Sequence, residues 1–273
     1  MSPTSAPTEA ATRSVTTSRR QRVAPLILCY HAISSSWEHV LAVPVDALRM
    51  HVERLLRAGF TPVTAGETVN GSGNILHVTF DDAFKSVQLA LPVLEELGVR
   101  ATVFACSGHA DRGTPLDVPE LRAEVAQNPG ELDTMDWDEL RELSEREVEI
   151  GSHTVNHPHL TLVSDAALEH ELVDSKHRIE EELGRPCRFL AYPYGDHDRR
   201  VREAARAAGY EAAFALPIGT RWGDRFQIGR VGVWRSDRPL RIGLKTSRFF
   251  RTELGTRLMR ARVSRRKPTQ APT

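Results

Sequence analysis

The feature of this sequence that most constrains its fold is a regular alternation of short apolar segments and longer amphipathic ones. Seven segments have the length and apolar content of buried strands, and they cover residues 26–30, 75–80, 101–106, 148–152, 188–192, 212–216 and 226–233. Five segments between them carry apolar residues at helical spacing, and they cover residues 45–58, 84–97, 136–147, 164–183 and 199–208. This alternation predicts a parallel sheet with helices packed outside it.

Polar residues at the predicted strand ends help to choose between two such architectures. A closed (β/α) barrel and an open doubly wound sheet both fit the alternation. His31 follows the first strand, Asp81 and Asp82 follow the second, His153 follows the fourth, and residues 192–195 follow the fifth. In a barrel these strand ends lie on one face, whereas an open sheet spreads them along a line. We therefore expect a distorted (β/α) barrel with about seven parallel strands.

Two adjacent carboxylates and two imidazoles four residues apart are candidate metal ligands. Carboxylate and neutral imidazole suit zinc, and also cobalt, nickel or iron. His153 and His157 face the same way if they lie on a helix or a helical turn. Asp81 and Asp82 cannot both ligate from a regular strand, so we expect one to bind the metal and the other to reach a bound water. Three ligands with an open position are typical of a catalytic site, and the remaining carboxylate predicts hydrolysis.

The composition narrows the choice of partners and compartment. Lys+Arg and Asp+Glu both number 36, and this zero net charge gives no general argument for a nucleic-acid partner. Residues 1–24 are rich in Ser, Thr, Pro and Ala without the apolar core of a secretory signal, so we expect a disordered tail and a cytoplasmic location. The three cysteines are far apart in sequence and are predicted to be free thiols in the core.

Three motifs resemble those of a known family. They are Thr-Phe-Asp-Asp at 79–82, Ser-His-Thr-Val-Asn-His-Pro at 152–158 and Tyr-Pro-Tyr-Gly at 192–195. In this order they resemble the motifs of the NodB-type polysaccharide deacetylases, carbohydrate esterase family 4, and are most similar to the poly-N-acetylglucosamine deacetylase branch. The resemblance spans residues 25–233. It implies a distorted barrel of the glycoside hydrolase/deacetylase type, here residues 25–239, that removes N-acetyl groups from an N-acetylated carbohydrate.

The resemblance also assigns roles to individual residues. Asp81 matches the general base of the family. The metal ligands that it implies are Asp82, His153 and His157, with zinc as the expected ion. Pro193 and Tyr194 match one wall of the substrate groove, where the backbone N–H of Tyr194 helps to bind the oxyanion. Tyr192 and Tyr194 are further expected to stack on sugar rings.

The sequence departs from the family pattern at two places. The arginine that usually lies two positions before the motif proline is replaced by Ala191, and Arg188 or Arg230 are the candidates to supply its charge. The histidine that usually lies near the C-terminus is missing, because no histidine follows His197. The resemblance to the N-terminal Tyr-His motif of the poly-N-acetylglucosamine branch makes His31 the candidate general acid, with a packed core residue as the alternative.

Other functions and one further segment stay open at this point. The same scaffold would serve for another amide or for an O-acetyl ester, and the two departures also allow a carbohydrate-binding protein with impaired catalysis. Residues 240–273 are predicted to form a basic helix and tail, since residues 240–262 hold seven basic side chains against one acidic one. This helix is expected either to dock on the barrel or to make peripheral contact with an anionic membrane.

Overall fold

The computed structural model of the chain describes residues 23–216 and 224–252. Nine strands of the described residues join in one parallel sheet. They are β1 Leu26–Tyr30, β2 Thr61–Pro62, β3 Ile75–Phe80, β4 Ala101–Ala105, β5 Glu149–Ser152, β6 Phe189–Ala191, β7 Ala212–Ala215, β8 Ile228–Gly229 and β9 Val231–Gly232. The tail predicted at residues 1–24 falls, up to residue 22, outside the described residues, as do residues 253–273.

Helices and helical turns connect the strands. The α-helices are α1 Val45–Arg57, α2 Ala65–Asn70, α3 Leu91–Glu96, α4 Ser107–Ala110, α5 Arg122–Gln127, α6 Trp137–Glu145, α7 Asp165–Glu169, α8 Ser175–Leu183, α9 Arg199–Ala207 and α10 Pro239–Lys245. Shorter 3₁₀ turns lie at Lys85–Leu89, Pro193–Gly195 and Phe249–Arg251, and a π-helical turn at His170–Asp174.

The last strand segment brings the two edges of the sheet together. The strand order is β8-β7-β6-β5-β4-β3-β1-β9, and β8 and β9 are consecutive parts of one segment that is interrupted at Arg230. On one side Ile228 pairs with Phe214 of β7, and on the other Val231 pairs with Leu28 of β1. The predicted distorted barrel of about seven parallel strands is thereby confirmed, and the barrel is nearly closed.

Alternating residues of β1, β4, β6 and β7 serve two separate hydrophobic cores. In β1, Leu28 and Tyr30 face outward and belong, with the buried face of α1, to a cluster that we call the outer core. Ile27 faces the other way and joins the cluster that fills the barrel. The remaining members of that inner cluster are Ala65, Phe104, Phe189, Ala191, Ala212 and Phe214. Gly151 leaves the space that Phe104 needs, since a Cβ there would lie 2.5 Å from the Phe104 ring.

Two predicted helices differ in detail from those observed. The helix expected over residues 84–97 is a 3₁₀ turn followed by α3, because Pro92 lacks an N–H and fits only in the first turn of a helix. The helix expected over residues 164–183 runs from α7 to α8, but it contains the π-helical turn. The end of α8 is set by Gly184, whose φ of 62° is left-handed.

Residues 108–130, which include α5, form part of a third hydrophobic cluster, above the barrel. The loop that follows β1 belongs to the same cluster. We call this cluster the loop core, and its buried members are Ala32, Trp37, Ala42, Phe84, Cys106, Leu116, Val118, Leu121 and Leu132. The three cysteines are buried free thiols, as predicted.

The basic segment docks on the barrel as far as the structure describes it. Ile242 of α10 is fully buried, and the buried Arg251 donates hydrogen bonds of 2.8 Å to the carbonyls of Ala24 and Gly73. Docking was one of the two expectations for this segment, and membrane contact stays a prediction that these residues do not support. No described helix combines the length and the apolar content needed to cross a bilayer.

Candidate active site

The residues with candidate chemistry meet at the carboxyl ends of the strands. His31 follows β1, Asp81 and Asp82 follow β3, and His153 follows β5. These four side chains line one cavity of about 580 Å³, together with His157, Tyr194 and Arg230. Strand ends that are far apart in sequence therefore supply one site, as the barrel prediction required.

Asp82, His153 and His157 form a cluster with the dimensions of a metal site. The Nε2 atoms of both histidines lie 3.4 Å from Oδ1 of Asp82. This is the separation between ligands expected for a tetrahedral zinc site with bonds of about 2.1 Å. Nδ1 of His153 lies 2.8 Å from the carbonyl of Ala191, and because a carbonyl only accepts, Nδ1 carries the proton. The Nε2 lone pair of the neutral ring is then directed at the cluster.

The electrostatics of this cluster favour a cation. Burial raises the pKa of Asp82, and the neighbouring Asp81 raises it further. Oδ1 of Asp82 is buried without a hydrogen-bond partner among the described residues. Burial also lowers the pKa of His153 and of His157, so that both rings are neutral ligands. A buried carboxylate oxygen facing two neutral imidazoles fits a divalent metal ion, which would supply the missing positive charge.

Glu171 holds the loop that carries His157, a role that the sequence motifs do not indicate. The buried carboxylate of Glu171 accepts hydrogen bonds from the backbone N–H groups of Val155 and Asn156, at 2.8 and 2.9 Å. It also accepts one from the Asn156 side chain at 2.9 Å. A sequence signal existed, because Glu171 lies three residues after the buried Leu168 and therefore on the apolar face of its helix. The π-helical turn that contains Glu171 is of the kind often found at functional sites.

His153 and His157 do not lie on a helix or a helical turn, which is the arrangement considered from their spacing. Residues 153–157 form an irregular turn in which Thr154 and His157 have left-handed φ values of 72° and 60°. Asp82 and Tyr194 are left-handed as well, at 70° and 59°. Left-handed conformations are costly for residues with a Cβ and persist where the surroundings impose them. The site is thus a strained arrangement maintained by the rest of the fold.

Asp81 is bound by an arginine from another part of the chain, although Ala191 replaces the arginine of the family motif. The guanidinium of Arg230 donates two hydrogen bonds to the Asp81 carboxylate, at 2.6 and 2.8 Å, and both side chains are buried. The thiol of Cys29 donates a third to Oδ2, at 3.3 Å. Burial alone would raise the pKa of Asp81, but Arg230 lowers it below its usual range. Arg188, the other candidate, pairs instead with Glu149 outside the cavity lining.

His31 lies beside Asp81 rather than in the hydrophobic core. One of its ring nitrogens belongs to a group with Cys29 Sγ and an Asp81 oxygen in which all atoms lie within 4.8 Å of one another. Its ring stacks on Trp234 with centroids 5.5 Å apart. Its Nδ1 has no hydrogen-bond partner among the described residues. Burial lowers the pKa of His31 to about 4, so the ring is neutral at pH 7.

Of the three residues expected around the substrate, the structure brings only Tyr194 to the cavity. Tyr194 is 38% exposed, and its ring stacks on His159 with centroids 3.8 Å apart. Its hydroxyl donates to the Glu120 carboxylate at 3.1 Å. Pro193 is buried behind it. Tyr192 is fully buried with the outer core and donates to the carbonyl of Phe226, so its ring is not available to stack on a sugar.

A nearly closed parallel barrel with an Asp-His-His cluster at its carboxyl end is an arrangement typical of metal-dependent hydrolases. The sequence profile described as "Polysaccharide deacetylase" matches residues 68–213. That match covers more than half of the chain, and the chain belongs to the polysaccharide deacetylase family. His31 and Arg230 lie outside the matched stretch.

Individual proteins are also similar to the chain. YxkH of Bacillus subtilis (strain 168) is 25% identical over 217 residues, which are 76% of this chain and 70% of that protein. Two solved structures share the fold. The Streptococcus pyogenes deacetylase PplD, in complex with acetate, has a TM-score of 0.69 at 18% identity, covering 83% of this chain and 99% of that one. IcaB from Ammonifex degensii has a TM-score of 0.69 at 23% identity, with the same coverage.

Proposed function

We propose that this protein is a metal-dependent hydrolase that removes N-acetyl groups from a sugar or polysaccharide. The observation that carries the proposal is the Asp81 carboxylate, kept ionised by Arg230 beside the Asp82–His153–His157 cluster. Zinc suits these ligands best, with cobalt, nickel and iron as alternatives. When bound, such a metal supplies an acidified water and polarises the acetyl carbonyl.

Asp81 acts as the general base. Arg230 and Cys29 satisfy its oxygens and fix their orientation, and the lowered pKa keeps the carboxylate ionised at neutral pH. Arg230 also stabilises the carboxylate against its own burial, which would otherwise leave a charge without a partner. The carboxylate takes one proton from the water as the water oxygen attacks the acetyl carbon.

His31 delivers that proton to the departing nitrogen. Its ring is neutral in the free protein, so it does not hold the proton before the reaction begins. The proton must arrive during the reaction, and the neighbouring Asp81 is the group that holds it after the attack. The C–N bond breaks as the nitrogen accepts the proton, which leaves acetic acid and a free amine. The oxygen that gains negative charge in between is the one to which the Tyr194 backbone N–H would donate.

The alternative, a carbohydrate-binding protein with impaired catalysis, is less well supported by the structure. That alternative depended on the absent motif arginine and on the absent C-terminal histidine. Arg230 supplies the charge to Asp81 from the strand that closes the barrel, although Ala191 occupies the usual position. His31 lies next to the base from the first strand. These contacts support the proposal that Arg230 and His31 replace the two missing groups.

A substrate comparison with His31→Gln tests the proposal. An amide expels a poor leaving group and needs an acid more than an ester does. We expect wild-type protein to release acetate from N-acetylglucosamine oligosaccharides. His31→Gln should lower this rate by roughly 10²-fold or more while it lowers the rate on an O-acetylated sugar far less. His170→Gln, the same change at an exposed residue outside the cavity lining, is the control. Equal losses on both substrates, or no acetate release from the wild type, would contradict the proposed roles.

A further inference from the structure

One side of the cavity is an apolar wall that the proposed chemistry does not use. The wall is made by two loops that lie above the barrel, the one that follows β1 and the one that contains α5. Its members are Val40, Leu41, Leu116, Val118 and Leu121. The wall lines the same cavity as Asp82, His153 and His157, so whatever occupies it is continuous with the reacting group.

Three of the five wall residues are built into the fold, whereas Val40 is half exposed. Leu116, Val118 and Leu121 are members of the loop core, and each has at most 7% of its surface exposed. The two loops are also tied together by polar contacts. Nε1 of Trp37 donates to the Glu124 carboxylate at 2.8 Å. An apolar surface fixed in this way is ready to bind an apolar group without the cost of ordering it.

The chemistry of the substrate decides which of its parts fits the wall. The carbon that is attacked carries two substituents, the acyl chain on one side and the sugar nitrogen on the other. Sugar hydroxyls placed against leucine and valine would lose their hydrogen bonds, which is costly. Polar side chains that suit them also line the cavity, and these include Glu120, Tyr194 and Lys245. The acyl chain is the substituent without polar groups beyond the carbonyl.

We infer that the apolar wall binds the acyl chain of the substrate, and that this enzyme hydrolyses amides of amino sugars with acyl chains longer than acetyl. The inference rests on the proposed function, since it concerns the same amide bond. A single methyl group covers only a small part of a wall made by five side chains. Each further methylene that reaches the wall adds up to about fourfold in kcat/KM, the factor that corresponds to burial of one CH₂.

A chain-length series tests the inference on wild-type protein. The substrates are N-acetyl, N-butanoyl and N-hexanoyl derivatives of one glucosamine oligosaccharide, and the free amine that appears is measured, because it is the same product from all three. A kcat/KM for hexanoyl equal to or above that for acetyl supports the inference. A value below that for acetyl overturns the inference and leaves the proposed function intact. Release from none of the three overturns both.

A pair of matched variants tests where the acyl chain of the substrate binds. Val118→Phe fills the wall, and Val125→Phe makes the same change at a residue that packs on the loop core but does not line the cavity. We expect Val118→Phe to lower the ratio of hexanoyl to acetyl kcat/KM at least tenfold, and Val125→Phe to leave it near the wild-type value. Because both substrates are measured on one preparation, partial unfolding does not change this ratio. An unchanged ratio in Val118→Phe would overturn the assignment of the wall.

Discussion

Replacement of Arg230 by methionine should destabilise the protein strongly, because it leaves Asp81 as a buried charge without its main partner. Arg230 makes two hydrogen bonds to that carboxylate and one of 3.1 Å to Thr79. Both members of the ion pair are almost completely buried. Removing one partner of such a pair costs about 3–5 kcal/mol, whereas an exposed pair is worth about 0–1 kcal/mol. We therefore expect Arg230→Met to lower the free energy of unfolding by about 4 kcal/mol.

A double-mutant cycle in urea, with chelator present so that no metal contributes, measures this effect. Asp81→Asn should also destabilise, because it leaves the Arg230 charge buried. The double variant should lose at least about 2 kcal/mol less than the two single losses together, since neither charge is then unpaired. Arg188→Met, which breaks the half-exposed pair with Glu149, is the control and should cost under about 1 kcal/mol. Additive losses, or an Arg230→Met loss as small as the control, would refute the buried pairing of Arg230 with Asp81.

Two further predictions concern other parts of the barrel. His77 is buried between the carbonyl of Val63 and the hydroxyl of Thr102. Burial lowers the pKa of His77 to about 4. The unfolded chain therefore binds a proton at this residue at a higher pH than the folded protein does. The free energy of unfolding should therefore fall between pH 7 and pH 5, and urea titrations should show a fall that is about 2 kcal/mol smaller in His77→Gln. Gly195→Ala should cost more than about 3 kcal/mol in the same assay and lower activity, because its φ is 69° and a Cβ would lie 2.3 Å from the carbonyl oxygen of Leu216. A Gly195→Ala protein with wild-type stability would contradict that packing.

Much of the site could be predicted because its residues are local in sequence. Asp81 and Asp82 are adjacent, and His153 and His157 share one turn, so their residue types and spacing are enough to indicate the chemistry. The role of Arg230 could only be named as one of two candidates. It depends on the last strand segment returning to β1, which is a long-range pairing between residues such as Val231 and Leu28.

The remaining differences between the predicted and the observed site come from backbone conformation and from burial. Tyr192 and Tyr194 are two residues apart, and in a continuous strand both would point the same way. The strand ends at Ala191, and the left-handed φ of Tyr194 turns that ring into the cavity while Tyr192 stays in the outer core. The neutral state of His31 follows from its burial, which the sequence pattern does not contain. The loop core was not predicted, because two stretches far apart in sequence build it.

Metal depletion combined with Asp81→Asn tests the central claim most directly. Protein freed of metal by chelation should not release amine from an N-acetylglucosamine oligosaccharide, and addition of zinc should restore release. Asp81→Asn, loaded with zinc to the same content by metal analysis, should stay at least roughly 10²-fold slower than the wild type, because the metal cluster is intact and the base is lost. Full activity of the depleted wild type, or a wild-type rate in the loaded Asp81→Asn protein, would contradict the account.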